Sequence, residues 1–114
     1  MDIVRFKENE TSLLKPGWTR LSLARAKHFS IGYFYRSAGH AVPAHQHLAE
    51  QVSIVIEGQM KVVGGDGAEH LLSPGDSAYF APNERHQIEH AGIGQAIGID
   101  VFSPARSCDL WMNQ

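Results

Sequence analysis

A single cysteine, Cys108, stands in a chain of 114 residues. No intrachain disulfide is available, so a packed core must hold the fold, and such sparing cysteine use fits a reducing compartment. No apolar run is long enough to span a membrane. The first ten residues, Met1 to Glu10, lack the apolar stretch of a secretory signal, so the expected location is the cytoplasm. Charge of one sign is also missing: ten Lys and Arg against twelve Asp and Glu leave a formal net charge of −2. That balance gives no electrostatic case for binding nucleic acid or an anionic membrane. No amphipathic helix of ordinary length, internal repeat or low-complexity segment is visible, and no shift in composition marks a boundary. One domain over residues 1–114 is the expectation, of a size that buries enough surface for one core.

What the chain has instead is alternation with a period of two, punctuated by Gly, Pro and Asn. Residues 18–26 and 29–37 read as strands, the latter through Ile31-Gly-Tyr33-Phe-Tyr35. The pattern breaks from Gly39 to Pro43. It resumes over Gln51–Glu57, where Gln51, Ser53 and Val55 fall on one face and Val52, Ile54 and Ile56 on the other. Gln59–Val63, Glu69–Leu72, Ser77–Phe80, His86–His90 and Gly94–Phe102 complete the set, with a hairpin signal at Gly64-Gly65-Asp66-Gly67. Many short strands separated by turns predict an all-β sandwich or barrel.

Histidine is plentiful, seven in all. For any one of them an ordinary polar role is the default, and His28, His40, His70 and His90 take that reading. His45 and His47 differ. Two apart on an extended chain, they point to the same face. Together with Gln51 and, further on, His86, they offer three imidazoles and an amide oxygen to one divalent metal, with positions left open for a substrate. Glu50 competes for the fourth ligand role, because a carboxylate binds metals better than an amide, yet it falls on the opposite face of its strand. With Gln51 all four ligands are neutral and the ion keeps its full charge as a Lewis acid.

The last strand carries a second group. In Ile97-Gly-Ile99-Asp100-Val101-Phe102-Ser-Pro104-Ala-Arg106, Ile97, Ile99 and Val101 share one face and Asp100 and Phe102 the other. An acid in an apolar strand is costly unless paired, hydrated or functional. On the residues alone two readings stand equal. In one, Asp100 ends a strand and pairs with Arg106 at the surface. In the other, Asp100 faces inward as an acid/base and Arg106 clamps a carboxylate.

The run from Gly39 through His45, His47 and position 51 to Gly58 resembles the first motif of the cupin superfamily, with Gln51 where Glu is usual. The run from Gly75 to His86 resembles the second. There Asn83 takes a glycine's place, Ala81 stands at the proline position with Pro82 one residue late, and His90 replaces the final Asn. Asn tolerates the left-handed conformation better than most residues, so the change at position 83 is mild. The two motifs span about residues 39–90. A narrower resemblance covers His45-x-His47-x-x-x-Gln51-Val-Ser-x-Val-x-Glu-Gly58, Pro82-Asn83-x-x-His86 and Asp100-Val-Phe102-Ser-Pro104-Ala-Arg106. These are similar to the small pectin-degradation cupins, which linearise 4,5-unsaturated uronates into open-chain keto acids.

That resemblance implies a double-stranded β-helix, or jelly-roll barrel. It implies one divalent metal (Ni, Zn, Fe or Mn) on His45, His47, Gln51 and His86, with Asp100 as acid/base. It also implies Arg106 and Phe102 as substrate contacts, a sugar acid as substrate and a homodimer. Two other functions share the same motifs: a non-catalytic cupin that binds a sugar or small acid, and an iron-dependent dioxygenase.

Overall fold

The computed structural model describes residues 1–6, 12–15, 18–37 and 44–106. Among the described residues nine strands follow one another: β1 (Ser12–Lys15), β2 (Trp18–Ser22), β3 (Ser30–Arg36), β4 (Glu50–Glu57), β5 (Gln59–Val63), β6 (Glu69–Leu72), β7 (Ser77–Phe80), β8 (Gln87–Ala91) and β9 (Ala96–Ser103). They form a six-stranded sheet, ordered β1-β2-β3-β9-β4-β7, and a three-stranded sheet, ordered β6-β5-β8. Every pairing is antiparallel. No helix among the described residues is long and apolar enough to cross a membrane.

The expected alternation decides which face is buried. On β3 and β9 every second residue is buried, from Ser30 to Arg36 and from Ala96 to Phe102. On β4 the buried set is Gln51, Ser53 and Val55, so the partition read from the sequence is the one observed. The core joins both sheets: Phe34, Val55, Phe80 and Ala96 come from the larger, and Met60, Val62 and Ile88 from the smaller. Two glycines are required by close approach. A Cβ on Gly58 would lie 2.5 Å from the Gln95 carbonyl oxygen, and one on Gly98 would lie 2.6 Å from the Phe34 ring.

Some boundaries differ from expectation. The strand expected over 18–26 ends at Ser22, because the chain turns there: Ala26 N donates to Phe29 O at 2.9 Å. The segment expected over 86–90 begins one residue later, since His86 instead forms an isolated bridge with His45. Strand β1 was not expected. It is four residues long and shows no alternation, and its pairing with β2 shifts register between Leu13 and Lys15. The expected break from Gly39 to Pro43, and with it His40, lies outside the described residues, as does Cys108. Tyr33 and Tyr35 alternate with buried Phe34 and so face away from the interior. The Tyr33 ring instead meets Phe6 edge-on, with centroids 5.0 Å apart.

Candidate metal centre

The two histidine segments are tied together by backbone. His45 N donates to His86 O at 2.9 Å, His86 N donates to His45 O at 2.8 Å, and Asn83 N donates to His47 O at 2.7 Å. Asn83 holds the left-handed conformation, with φ 61°, which is the reason an Asn serves at this turn. The bridge brings residues 45–47 against 83–86 despite their separation in sequence. The ring centroids of His45 and His86 lie 4.5 Å apart, and those of His47 and His86 5.0 Å. One ligating atom from each of His45, His47 and His86 falls within 4.8 Å of the others. Phe80 stacks on the His86 ring at 4.3 Å and fixes its plane.

Contacts on the far side of each ring decide which nitrogens are available. His47 Nδ1 donates to Ala49 O at 2.7 Å, and His86 Nδ1 donates to Glu84 O at 2.9 Å. A carbonyl only accepts, so in the neutral rings the proton sits on Nδ1 and the Nε2 lone pair points inward. Burial pushes both imidazole pKa values below the ordinary 6.5, with the Arg106 charge adding to the effect at His47.

The Gln51 amide is fixed as well. Its Nε2 donates to Ser53 Oγ at 2.8 Å and to Asp100 Oδ1 at 3.3 Å, which turns Oε1 toward the histidines. His47 Nε2 and Gln51 Oε1 therefore face each other at 3.0 Å, lone pair to lone pair. His86 Nε2 is buried with no hydrogen-bond partner among the described residues. Acceptors converging without a donor are what a cation site requires, so this donor set fits a divalent metal. Glu50, the competing fourth ligand, is exposed on the other face, where it accepts a 2.7 Å bond from Tyr79 Oη.

Asp100 lies inside β9 and is buried, not at a strand end. Its Oδ2 accepts from Arg20 Nη2, a pair whose side chains are 3% and 1% exposed. Asp100 Oδ1 accepts from Ser53 Oγ at 2.6 Å. Arg106 lies over the Phe102 ring, its guanidinium carbon 5.4 Å from the centroid. Phe102 in turn meets the His47 ring at 5.8 Å. Of the expected site residues, His45, His47, Gln51 and His86 form the cluster. Asp100 joins it through Gln51, and Phe102 and Arg106 extend from it in a row. His28 and His70 are exposed, and His90 contacts the Gly94 carbonyl away from the cluster.

Arg20 and Ser53 were not among the expected site residues. Ser53 shares the inward face of β4 with Gln51, so alternation alone could have found it. Arg20 was hidden, because its tie to Asp100 depends on strand order. Strand β3 lies between β2 and β9, and the residue facing Asp100 on β3 is Gly32. Gly32 offers no side chain to block the path from Arg20.

Comparison with known proteins identifies the family and the fold. The cupin domain family matches residues 33–102, and the chain belongs to that family. No curated protein matches the chain. Among solved structures, KdgF from Halomonas sp. superimposes with a TM-score of 0.85 at 24% identity, covering 96% of this chain and 98% of that one. An RmlC-like cupin from Shewanella frigidimarina gives a TM-score of 0.83 at 28% identity, with 94% of each chain covered. The polyketide cyclase RemF from Streptomyces resistomycificus gives a TM-score of 0.76 at 23% identity, over 90% of this chain and 79% of that one. The fold is thus the all-β cupin fold, and enzymes are among the proteins that share it.

Proposed function

We propose that this cupin is a metal-dependent enzyme that opens 4,5-unsaturated uronates to linear keto acids. The observation that carries the reading is the row Arg106–Phe102–His47, which places a cation and an apolar ring face directly beside the histidine cluster. A uronate offers the matching parts, a carboxylate and a sugar ring. The resemblance of residues 45–58, 82–86 and 100–106 to the pectin-degradation cupins supports the same substrate. The interior charge also favours an anion. Among the described residues the fully buried charged groups are Arg20 and Arg36 against one acid, Asp100. Burial pushes the Arg36 pKa down to about 10, which leaves it a cation at neutral pH.

Each residue then has a task. Arg106 grips the carboxylate bidentately, a geometry lysine does not offer. Phe102 presents its face to the ring. His45, His47, Gln51 and His86 would hold the metal, which supplies Lewis-acid polarisation of a substrate oxygen when bound. Ring opening breaks the bond between the anomeric carbon and the ring oxygen, and the anomeric hydroxyl gives up its proton as the carbonyl forms. The released enolate takes that proton on carbon and becomes the ketone. One proton thus moves from oxygen to carbon, and Asp100 is the acid/base that carries it. A cytoplasmic homodimer acting on this small sugar acid belongs to the same proposal. The single-domain reading over residues 1–114 does too.

The test is loss of the conjugated enol ether's ultraviolet absorbance when metal-loaded protein meets unsaturated monouronates from pectin and alginate. At saturating metal, Asp100→Ala should slow turnover by about 100-fold or more, as for a lost general acid/base. Arg106→Ala should raise KM at least as clearly as it lowers kcat. Affinity without turnover would replace the proposal with a binding module. Oxygen consumption with another substrate would replace it with a dioxygenase.

A further inference from the structure

We infer that Asp100 dictates the fourth ligand: held by Arg20, it forces position 51 to be an amide with its oxygen turned toward the histidines. This rests on the metal-holding part of the proposed function and is independent of which substrate is used.

Donors and acceptors around Asp100 leave one arrangement. Arg20 Nη2 donates to Asp100 Oδ2, so that oxygen is committed. Asp100 Oδ1 then receives Ser53 Oγ–H at 2.6 Å and Gln51 Nε2–H at 3.3 Å. Ser53 Oγ has given its only proton to Asp100, and what it offers Gln51 at 2.8 Å is a lone pair. Both partners of Gln51 on this side are therefore acceptors. Only an NH2 group satisfies them, and the amide oxygen must take the opposite side, where His47 Nε2 lies 3.0 Å away.

A Glu at position 51, the usual cupin residue, would set a carboxylate oxygen against Asp100 Oδ1 in a buried site, an arrangement of like charges with no donor between them. The departure at position 51 and the acid at position 100 are in this account one feature. Asp100 is here a positioning residue, in addition to the role proposed for it above.

A change of sign is the expected signature. In Asp100→Asn with Gln51 kept, the introduced amide must turn its oxygen to the Arg20 guanidinium. Its NH2 then faces Gln51, which flips and presents nitrogen to the metal. In the Gln51→Glu background the same introduced NH2 meets a carboxylate and orients it as a good ligand. Nickel(II) affinity should be measured by titration of metal-stripped wild type, Q51E, D100N and Q51E/D100N, with circular dichroism to confirm folding. Cobalt(II) visible spectra would report the number of ligands. D100N should weaken nickel binding about tenfold to a hundredfold when Gln51 is kept, the usual range for losing an outer-shell partner, and should strengthen it in the Q51E background. Ser53→Ala, a small change that removes one acceptor, should weaken nickel binding in the wild-type background even if the other variants do not fold. An equal effect of D100N in both backgrounds, or Ser53→Ala binding nickel as wild type does, would overturn the inference while leaving the metal centre standing. Wild-type protein that binds no nickel would overturn both.

Discussion

Replacing Arg20 with Met tests whether Asp100 is a buried ion that depends on Arg20. Both side chains are almost wholly buried, at 3% and 1% exposure. Methionine keeps most of the aliphatic stem that packs toward Phe34, where the Arg20 guanidinium carbon lies 5.4 Å from the ring centroid. What is lost is the charge. Asp100 would keep its bonds from Ser53 and Gln51 but lose its ion-pair partner, and breaking a buried pair in this way costs about 3–5 kcal/mol. The cation–π contact adds about 0.5–1 kcal/mol. Against a domain stability of about 5–15 kcal/mol this is a large fraction. Urea unfolding of metal-free protein, followed by circular dichroism, gives the loss directly. The double variant Arg20→Met/Asp100→Leu should recover most of it, because a buried pair replaced by apolar groups is often near neutral. A loss under about 1 kcal/mol for Arg20→Met, or a double variant no better than the single, would refute the view of Asp100 as a buried ion dependent on Arg20.

Two further outcomes follow from the packing and the protonation states. Gly98→Ala places a Cβ 2.6 Å from Phe34 Cζ and 3.0 Å from the Ile54 carbonyl oxygen, and Phe34 is 0% exposed. Overpacking of about 1–3 kcal/mol is expected, seen as a melting temperature lower by about 5–20 °C, with partial recovery in Gly98→Ala/Phe34→Leu. The metal-free protein should lose stability on acidification. His47 and His86 have folded pKa values below 6.5, so below that value the unfolded chain binds more protons than the folded one. Stability is then full above about pH 6.5 and falls as pH drops toward the folded values. Melting temperatures of chelator-treated protein from about pH 8 to about pH 5 should be flat and then fall, and a rise on acidification would contradict the assignment.

Most of the site was legible because alternation is a local rule. The inward set of β4 and that of β9 follow from a period of two, and the histidine positions follow from spacing. What was not legible depends on which strand lies beside which. Arg20 sits eighty residues from Asp100, and nothing in its own segment marks it as more than a polar residue in a short strand. The two readings of Asp100 stood equal on the residues alone for the same reason: its pairing with Arg20 is made by the order β2-β3-β9, which no local pattern shows. Strand β1 was missed because four residues without alternation carry no periodic signal, and its pairing is supplied by β2.

The central claim is a metal held by His45, His47, Gln51 and His86, and anomalous diffraction at the nickel edge from crystals grown with nickel(II) tests it most directly. The account predicts one peak per chain, about 2.0–2.2 Å from an imidazole nitrogen of each of the three histidines, with Gln51 Oε1 as the fourth protein ligand and Asp100 bound to Arg20 behind it. No peak, or a peak that excludes His86 or takes Glu50 as its ligand, would contradict it.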